Sequence, residues 1–476
     1  MADALLSLTG DTVLTEALAR AIAGELAAGD TLLLDGPVGA GKSHFSRALI
    51  RARLENPAED VPSPTFTLVQ TYESDPPVWH ADLYRLTDPA EVDELGLTDA
   101  LPDAIALIEW PDRMDPVLGA LSLRLRPQAD PDLRQITLIG DAARWSHIRR
   151  AAERAAFVWR AGWGDADAGF LAGDASARRY FRLSRGDQTA VLMDADAATL
   201  APYLAMTDWL RERGFDAPAV LAVDREAGLA LIEDFGDAQI ARVIEADPDK
   251  AGPLYDRIAA MLARLASFPS APGIAVLDGP AMAEQVGLFA QWYPAAAGAV
   301  PDAQAAADQI APTIARLHEV LCVDAAPVTC LRDFHAENLI LTGDGRLGLL
   351  DFQDAVATHP AYDLVSALHD ARRALPAEVE ASAIARFLDD TGMDPARFHA
   401  AFALLGAQRN LRIMGIFTRL CLRDAKPRYL AFMPHVWLLI LRETSHPALA
   451  DLAALIARLP APTPDIIERI RARCPR

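Results

Sequence analysis

Hydrophobic residues in the first third of the chain recur first with helical spacing and then in short extended runs. Apolar residues from Leu14 to Leu26 fall at every fourth position, which predicts the buried face of a helix ending near Gly29. The apolar runs that follow predict strands at 31–35, 63–72, 104–108, 121–125 and 133–139. This alternation predicts an α/β domain over residues 1–141.

The pattern changes after residue 141. An Arg-rich stretch from Arg144 to Arg160 predicts a helix, and the segment from Gly169 to Leu183 has the pattern of a strand, a glycine loop and a returning strand. Later segments predict two more strands and then a mainly helical region, with connections rich in Ala and Pro. We therefore expect an α+β domain over 142–476, with an amino lobe at 142–236 and a carboxyl lobe at 237–476.

Composition is that of an ordinary folded protein. Hydrophobic residues make up 51% of the 476 residues and charged residues 23%, as in typical soluble domains. No apolar run is long enough to span a membrane, and the start lacks the basic segment of a secretory signal, so we expect a cytoplasmic protein without a membrane partner. Four scattered cysteines fit reduced thiols and argue against a zinc ribbon.

Charge restricts the partners and the available chemistry. The formal net charge of −21 opposes broad, direct binding to nucleic acid or anionic lipid, which requires a basic surface. The chain has three lysines, Lys42, Lys250 and Lys426, and nearly all other positive charge is arginine. Chemistry that needs a lysine must therefore use one of these three.

A complete phosphate-binding loop follows the first predicted strand. Its sequence is Gly36-Pro37-Val38-Gly39-Ala40-Gly41-Lys42-Ser43. The glycines let backbone N–H groups turn toward phosphates, and the helix that follows offers its positive amino-terminal end. Lys42 is expected to reach the outer phosphates, and the Ser43 hydroxyl to ligate Mg²⁺. The strand before the loop and the helix after it argue against a simple glycine-rich turn.

Two carboxylates are candidates for the metal side of this site. Glu109 follows the apolar strand 104–108, where a P-loop ATPase places a carboxylate that meets Mg²⁺ or its water ligands. Asp82 is the second candidate. Either one could instead be a surface carboxylate at a strand end.

Four segments in the first 140 residues resemble the TsaE family when taken in order. They are GPVGAGKS, SPTFTLVQTY, HADLYRL and IEWP. That family is the small ATPase subunit of the bacterial machinery that makes N6-threonylcarbamoyladenosine in tRNA. The resemblance implies ATP hydrolysis with Mg²⁺ and docking onto the proteins that perform the carbamoyl transfer, so tRNA would be an indirect partner. The resemblance also implies that Ser43, Asp82 and Glu109 lie on the metal-binding side of the nucleotide site and that Thr65 lies on a switch-like loop.

A second catalytic pattern lies at 331–353. Asp333 and Asn338 are separated by four residues in LRDFHAEN, and an apolar strand then ends in Asp351-Phe352-Gln353. In kinases such an Asp accepts the proton of the substrate hydroxyl, while an Asn and a second Asp hold Mg²⁺. The combined pattern favours a bilobal, protein-kinase-like domain over a polar surface loop.

The predicted amino lobe lacks the lysine that a kinase uses to pair with ATP phosphates. The strand at 191–194 contains no lysine, and none occurs between residues 43 and 249. Candidate ATP-binding residues in the glycine loop are Gly173, Asp174 and Ser176. An arginine, Arg178 or else Arg179 or Arg182, could supply the missing charge because guanidinium groups bind phosphate well. Alternatively, the nucleotide is held in another way and these arginines are solvated or structural.

Three other features admit two interpretations each. Asp234-Phe235-Gly236 spells a kinase metal motif but precedes Asp333, so we interpret it as the hinge between the lobes. Asp363 could orient the catalytic loop or cap a helix, and a structural role is favoured. The arginines that share a helical face at 409, 412 and 419 are expected to be solvated or ion-paired; if they line the substrate cleft, they favour an anionic or neutral sugar.

The second domain as a whole resembles the aminoglycoside-phosphotransferase-like kinases, and most closely their anomeric sugar kinases, the AmgK-like branch. The segments that carry this resemblance are GDASARRYFRL, VLMDA, LIEDFGD, LRDFHAENLI, LLDFQDA, AYDLVSALHDAR and QRNLRIMGIFTRL. That branch acts on N-acetylmuramate and N-acetylglucosamine in cell-wall recycling. The resemblance implies ATP-dependent phosphorylation of the anomeric hydroxyl of an amino sugar, with Asp333 as base and Asn338 and Asp351 as Mg²⁺ ligands.

We therefore expect a bifunctional fusion of a P-loop ATPase and a small-molecule kinase. Two alternatives stay open. The kinase could act on an aminoglycoside, choline or homoserine. One module could instead be a non-catalytic nucleotide-binding scaffold.

Overall fold

The chain folds into two compact units, which are described separately. The computed structural model describes residues 4–173, 178–298 and 301–475. The first unit comprises Met1–Ala201 and Ala219–Asp234, and the second comprises Pro202–Pro218 and Phe235–Arg476. The domain boundary predicted at residue 141 lies inside the first unit, and both that boundary and the predicted lobe boundary stay predictions.

Within the described residues, the amino-terminal part of the first unit contains a seven-stranded sheet in the order β1-β7-β6-β2-β5-β4-β3. Strand β2 is parallel to β5 and to β6, and β4 is parallel to β5, so the carboxyl ends of β2, β4 and β5 meet at one edge. The elements are β1 (Ala4–Gly10), α1 (Thr12–Ala23), β2 (Thr31–Asp35), α2 (Lys42–Arg53), β3 (Val69–Tyr72), β4 (Val78–Asp82), α3 (Glu91–Glu94), α4 (Leu97–Ala100), β5 (Ile105–Glu109), β6 (Leu121–Pro127) and β7 (Arg134–Ile139).

Three details differ from the pattern-based prediction. Helix α1 ends at Ala23 with Gly24 as its C-cap, so Leu26 lies beyond the helix although it is buried. Residues 63–68 form a turn instead of the start of β3, because the Leu68 N–H bonds to the Pro64 carbonyl at 2.6 Å. Two strands were not predicted: β1, which pairs antiparallel with β7, and β4, which lies between β5 and β3.

The rest of the first unit adds a helix and an antiparallel sheet in the order β11-β12-β10-β9-β8. Its elements are α5 (Ser146–Arg160), β8 (Asp167–Gly173), β9 (Arg179–Arg185), β10 (Gln188–Asp194), the start of α6 (Ala197–Glu212), β11 (Val220–Asp224) and β12 (Leu229–Glu233). The strand, loop and returning strand predicted around the glycine loop correspond to β8 and β9.

Helix α5 contributes to two hydrophobic cores within this unit. Ile148, with Trp145 just before the helix, is buried in the core that contains α1 and the seven-stranded sheet. Phe157 and Val158, two turns later, are buried in the core of the five-stranded sheet. The helix has apolar residues around much of its circumference for this reason, and it joins the two sheets into one packed unit.

The second unit is mainly helical, as predicted. Two short sheets, β13-β17-β14 and β15-β16, lie among its helices in the described residues. Its elements are α7 (Ile240–Ala246), α8 (Ala251–Ala266), β13 (Ala275–Val276), α9 (Gly279–Ala297), α10 (Ala303–Leu321), β14 (Val328–Cys330), β15 (Leu339–Leu341), β16 (Leu347–Leu349), β17 (Val356–Thr358), α11 (Ala361–Leu368), α12 (Ala377–Thr391), α13 (Pro395–Leu422), α14 (Met433–Thr444), α15 (Ala450–Ile456) and α16 (Pro464–Arg471). Among the residues described, no helix combines the length and apolarity required to cross a bilayer.

Candidate active sites

The glycine-rich loop connects β2 to α2 and has the backbone of a phosphate-binding loop. Gly39 and Gly41 have φ values of +76° and +107°, which glycine adopts without strain. A Cβ on Gly36 would lie 2.6 Å from the Leu125 carbonyl oxygen, so only glycine fits there. The remaining predicted loop residues, Pro37, Val38 and Ala40, lie in this same turn, which leads into the amino-terminal end of the 12-residue helix α2.

Lys42 lies at the start of α2 and its ammonium group is held inside the loop. Its Nζ donates hydrogen bonds to the carbonyls of Gly36 at 2.7 Å and Pro37 at 3.1 Å, and lies 3.9 Å from the centroid of the Trp110 ring. Burial lowers the pKa of Lys42, while Glu109 and Asp82 act to raise it. The ammonium is therefore placed at the mouth of the loop, where anionic phosphates would be received.

Ser43 and Glu109 are brought together although 66 residues separate them in the sequence. The Ser43 hydroxyl donates to Glu109 Oε2 at 3.1 Å, and Glu109 is buried at the end of β5. The other carboxylate oxygen, Oε1, lies 3.0 Å from Nε2 of His80, a wholly buried residue of β4. Sequence analysis gave His80 no role. The signal was its position two residues before Asp82 on the same strand, which puts both side chains on one face.

Asp82 organises the turn at 63–68. It is the last residue of β4 and lies beside Glu109 in register. Its Oδ2 accepts hydrogen bonds from Thr65 at 2.6 Å and Ser63 at 3.2 Å. Its Oδ1 accepts the backbone N–H of Tyr84 at 3.1 Å. Thus Ser43, Glu109, Asp82 and Thr65 lie along one edge of the sheet, and the alternative of isolated surface carboxylates does not describe Glu109 or Asp82, which are both buried.

The catalytic-loop segment in the second unit is tied together by hydrogen bonds. The Asn338 side-chain amide donates to the Asp333 carbonyl at 2.8 Å, which orients the amide oxygen away from that bond. The N–H of Leu350 donates to the Asn338 carbonyl at 2.9 Å. The three predicted residues, Asp333, Asn338 and Asp351, therefore lie on one connected piece of backbone.

Asp363 holds the start of this loop. It lies in the first turn of α11, and its carboxylate accepts the backbone N–H groups of Leu331 at 2.5 Å and Arg332 at 3.0 Å. Complete burial raises the pKa of Asp363 to about 7, and the two backbone donors act to lower it. Of the two interpretations, loop orientation describes the contacts. The N-cap interpretation is wrong because Pro360 occupies that position.

The strand end at Asp351 has an unusual backbone. Asp351 follows β16 with a φ of +57°, a conformation that costs a non-glycine residue energy and that clusters at functional sites. Its Oδ1 accepts a hydrogen bond from the side-chain amide of Gln353 at 2.8 Å. Phe352 is buried and stacks on Tyr203 with ring centroids 5.2 Å apart, which anchors the turn.

His335 lies inside the catalytic loop and is nine-tenths buried. Burial lowers its pKa to about 4, against the opposing effect of Asp370. It is therefore neutral near pH 7, and its Nδ1 is buried without a hydrogen-bond partner among the residues that the structure describes.

The predicted nucleotide-binding residues of the amino lobe are only partly described. Gly173 ends β8, whereas Asp174 and Ser176 lie outside the described residues. Arg182 forms an ion pair with Asp234 at 2.7 Å, within the segment interpreted as a hinge, and Arg179 lies 3.4 Å from Glu25. The choice of Arg178 as a phosphate ligand stays a prediction.

The strand that lacks the phosphate-pairing lysine ends in a buried acid. Asp194 ends β10 and receives Arg150 at 2.5 Å and Arg154 at 2.9 Å, both from α5. Arg154 also reaches Glu25, just beyond α1, at 2.6 Å. This network ties the strand to the helix that both cores share.

The oxygen ligands at both sites suit Mg²⁺, which prefers hard oxygen donors and keeps water or phosphate oxygens in its coordination shell. In the described part of the chain no group of three or more His, Cys, Asp or Glu side chains could hold a metal on its own. Ser43 with Glu109, and Asn338 with Asp351, fit a cation that is also bound by nucleotide.

Comparison with known proteins finds two family matches along the chain. Residues 10–136 match the family described as threonylcarbamoyl adenosine biosynthesis protein TsaE, and residues 167–399 match the phosphotransferase enzyme family.

Curated relatives show the same division. The chain is 38% identical over 353 residues to an N-acetylmuramate/N-acetylglucosamine kinase of Caulobacter vibrioides, covering 65% of this chain and 96% of the relative. It is 34% identical over 323 residues to a kinase of the same name from Pseudomonas putida, covering 63% and 91%. It is 45% identical over 98 residues to the tRNA threonylcarbamoyladenosine biosynthesis protein TsaE of Rickettsia felis, covering 20% of this chain and 56% of that relative.

Proposed function

The chain belongs to the N-acetylmuramate/N-acetylglucosamine kinase family and carries a TsaE domain ahead of its kinase domain, and on that premise we propose a bifunctional enzyme. The kinase domain transfers the γ-phosphoryl group of ATP to the anomeric hydroxyl of N-acetylmuramate or N-acetylglucosamine. The TsaE domain hydrolyses ATP in support of threonylcarbamoyladenosine formation in tRNA, docked on the proteins that carry out the carbamoyl transfer. The net charge of −21 agrees with action through protein partners.

The hydrogen-bonded catalytic loop is the observation that carries the kinase assignment. Asp333 accepts the proton of the anomeric hydroxyl as the sugar oxygen bonds to the γ-phosphorus and the bond to the β-phosphate oxygen breaks, releasing ADP. The amide nitrogen of Asn338 donates to the Asp333 carbonyl, so its amide oxygen would be available to hold Mg²⁺, and Asp351 would supply the second ligand. Bound Mg²⁺ would neutralise charge on the transferred group.

In the TsaE domain, the loop amides and Lys42 bind the phosphates of ATP, while Ser43 and Glu109 would hold Mg²⁺. The contact of His80 with Glu109 fixes the carboxylate so that its other oxygen faces Ser43. Asp82 positions Thr65 and the turn at 63–68 beside the nucleotide. Support for this assignment comes from the shared sheet edge and from the match over residues 10–136.

A substrate panel on the full chain tests the kinase function. ADP release is measured with amino sugars, aminoglycosides, choline and homoserine as acceptors, and phosphorus NMR identifies the phosphorylated position. We expect turnover with the two N-acetylated sugars and a sugar 1-phosphate as product. Turnover confined to amines or amino acids would contradict the assignment.

Reciprocal substitutions test whether there are two sites. Asp333→Asn should lower kcat for sugar phosphorylation by about 10³-fold, because a general base contributes on the order of 10²–10⁴. Lys42→Ala should abolish the ATPase activity of the TsaE domain and leave sugar phosphorylation intact. ATP turnover is followed with and without threonylcarbamoyl-transfer proteins. Loss of both activities in either variant would contradict two independent sites.

A further inference from the structure

Arginine side chains without an acidic partner lie beside the proposed catalytic base. The chain has 66 acidic and 45 basic residues, so a positive charge left without a counter-ion is unexpected. Across the described ranges, the guanidinium groups of Arg332, Arg412 and Arg419 make no ion pair within 4 Å and no hydrogen bond. Each of these residues is half-buried, and Nε of Arg332 and of Arg419 is shielded from solvent without a partner.

Helix α11 contacts both the catalytic loop and α13. Its Asp363 accepts the N–H of Arg332, and the carbonyl of His369 at its end accepts a hydrogen bond from Arg409 of α13. Burial raises the pKa of Tyr362; Arg412, Arg409 and Arg332 act to lower it, and Asp333 acts to raise it. The charges of Arg412, Arg332 and Asp333 therefore act on one phenol group, which belongs to the helix that contacts both the catalytic loop and α13. All of these residues belong to the second unit.

The backbone fixes Arg332 in place. Its φ of +73° is held by hydrogen bonds from its own N–H to Asp363 at 3.0 Å and from the Ser366 hydroxyl to its carbonyl at 3.2 Å. A strained residue that is secured on both sides of its Cα points its side chain in a reproducible direction. Because Arg332 precedes Asp333, this direction is set relative to the base.

Helix α13 supplies the second cation. Arg409 and Arg412 are one turn apart on this helix; Arg409 is buried and reaches the His369 carbonyl at 3.4 Å, whereas Arg412 is half-buried. Partial burial of a cation costs solvation free energy that a nearby anion restores. In the described structure no carboxylate supplies that anion, so the ligand is the natural source.

We infer that Arg412 and Arg332 bind a carboxylate of the acceptor sugar beside the hydroxyl that Asp333 deprotonates, and that they favour an acidic amino sugar over a neutral one. This inference rests on the proposed kinase function. N-acetylmuramate is N-acetylglucosamine with a lactyl ether that ends in a carboxylate, so the two sugars differ in the group that a pair of arginines would recognise. Guanidinium groups bind carboxylates in bidentate fashion, which fixes orientation as well as affinity.

The test compares charged and neutral acceptors in the full chain. The acceptors are N-acetylmuramate, its lactyl amide and N-acetylglucosamine, and kcat/KM is measured for each. Arg412→Gln should lower kcat/KM for N-acetylmuramate relative to the amide by about 10- to 100-fold, the range expected for one charged hydrogen-bonding contact. Arg412→Lys should recover part of the ratio because it keeps the charge.

Arg419→Gln is the matched control. Arg419 lies on the same helix, is half-buried and lacks a partner, but is seven residues from Arg412, or about 10 Å along the helix. Its substitution should leave the ratio between charged and neutral acceptors unchanged. An equal change in Arg419→Gln would show a general charge effect and overturn the inference.

Two further outcomes distinguish failure of this inference from failure of the proposed kinase function. If Arg412→Gln lowers kcat/KM equally for all three acceptors, or raises the KM for ATP alone, the arginine serves the nucleotide or the fold, and the inference is wrong while the kinase function stands. If the unaltered protein phosphorylates none of the three acceptors, the proposed function and the inference fail together.

Discussion

Single residues in this chain differ in how far folding shifts their pKa, and His359 is a strongly shifted example. His359, which follows β17, is almost wholly buried; its Nδ1 accepts the N–H of Ala361 at 3.2 Å, and Nε2 lies 3.8 Å from Asp324. Burial lowers its pKa to about 4 from 6.5, against Asp324 and together with His318. Such a residue carries no catalytic role here, but it makes stability depend on pH.

The predicted pH effect follows from proton binding. Between pH 6.5 and 4 the unfolded His359 is protonated and the folded one is neutral, so the unfolding free energy decreases as pH falls through this window. The loss is at most about 3 kcal/mol, from 1.36 kcal/mol per pKa unit. We expect His359→Asn, which keeps an acceptor for Ala361, to show a smaller drop in Tm between pH 7.5 and 5.

The control for this prediction is His399→Asn, a change at an exposed histidine of α13. Its Tm should decrease with acidification as much as that of the unaltered protein. If both variants behave alike, burial of His359 is not the source of the acid sensitivity.

At the scale of elements, helix α5 is the feature that connects the rest of the first unit. Its Arg154 is 6% exposed and bridges Asp194, at the end of β10, to Glu25, beyond α1. Asp194 is itself buried, so removal of one arginine partner leaves the desolvation cost of its carboxylate less fully offset. The ion pairs of α5 are thus as important to its placement as its apolar faces.

Arg154→Ala should therefore lower the unfolding free energy by about 2–3 kcal/mol, the usual cost of losing hydrogen bonds to a buried charge. Arg150 still pairs with Asp194 in this variant, so the unfolding free energy should fall by less than if the carboxylate had no ionic partner. Arg149→Ala is the control, since Arg149 is half-exposed and pairs with Glu153 on the same helix. Thermal unfolding of both variants gives the comparison, and equal Tm values would contradict the role of Arg154.

At the scale of the whole molecule, the TsaE domain and the five-stranded sheet of the kinase share one compact unit through α5. The predicted cut at residue 141 separates Ile148 and Trp145 from the core that buries them. A cut after α5 would remove Phe157 and Val158 from the other core. No boundary within this helix leaves both cores complete.

A fragment of residues 142–476 should consequently be less stable than the same residues within the full chain. We expect a lower Tm, greater binding of a hydrophobic dye and association in sedimentation experiments, because the buried face of α5 becomes exposed. The full chain is the control. A fragment that is monomeric and has the Tm of the kinase in the full chain would show that the two cores are independent.

The sequence alone determined the features whose chemistry lies in one contiguous stretch. The glycine loop with Lys42, the catalytic loop with Asp333, and the fold class of both domains depend on local spacing that few other folds share. The family matches confirm the fold class and the combination of the two domains, while the individual site roles stay predictions.

Contacts between distant segments could be established only from the folded chain. Three examples join residues from different elements. His80 pairs with Glu109, Asp363 accepts a backbone N–H from a loop 31 residues earlier, and charged residues of α13 and of the catalytic loop act on Tyr362. Such contacts depend on how helices and strands pack, and local patterns carry no information on that packing. For the same reason, the sequence did not indicate that α5, which was predicted to begin the second domain, packs in two hydrophobic cores.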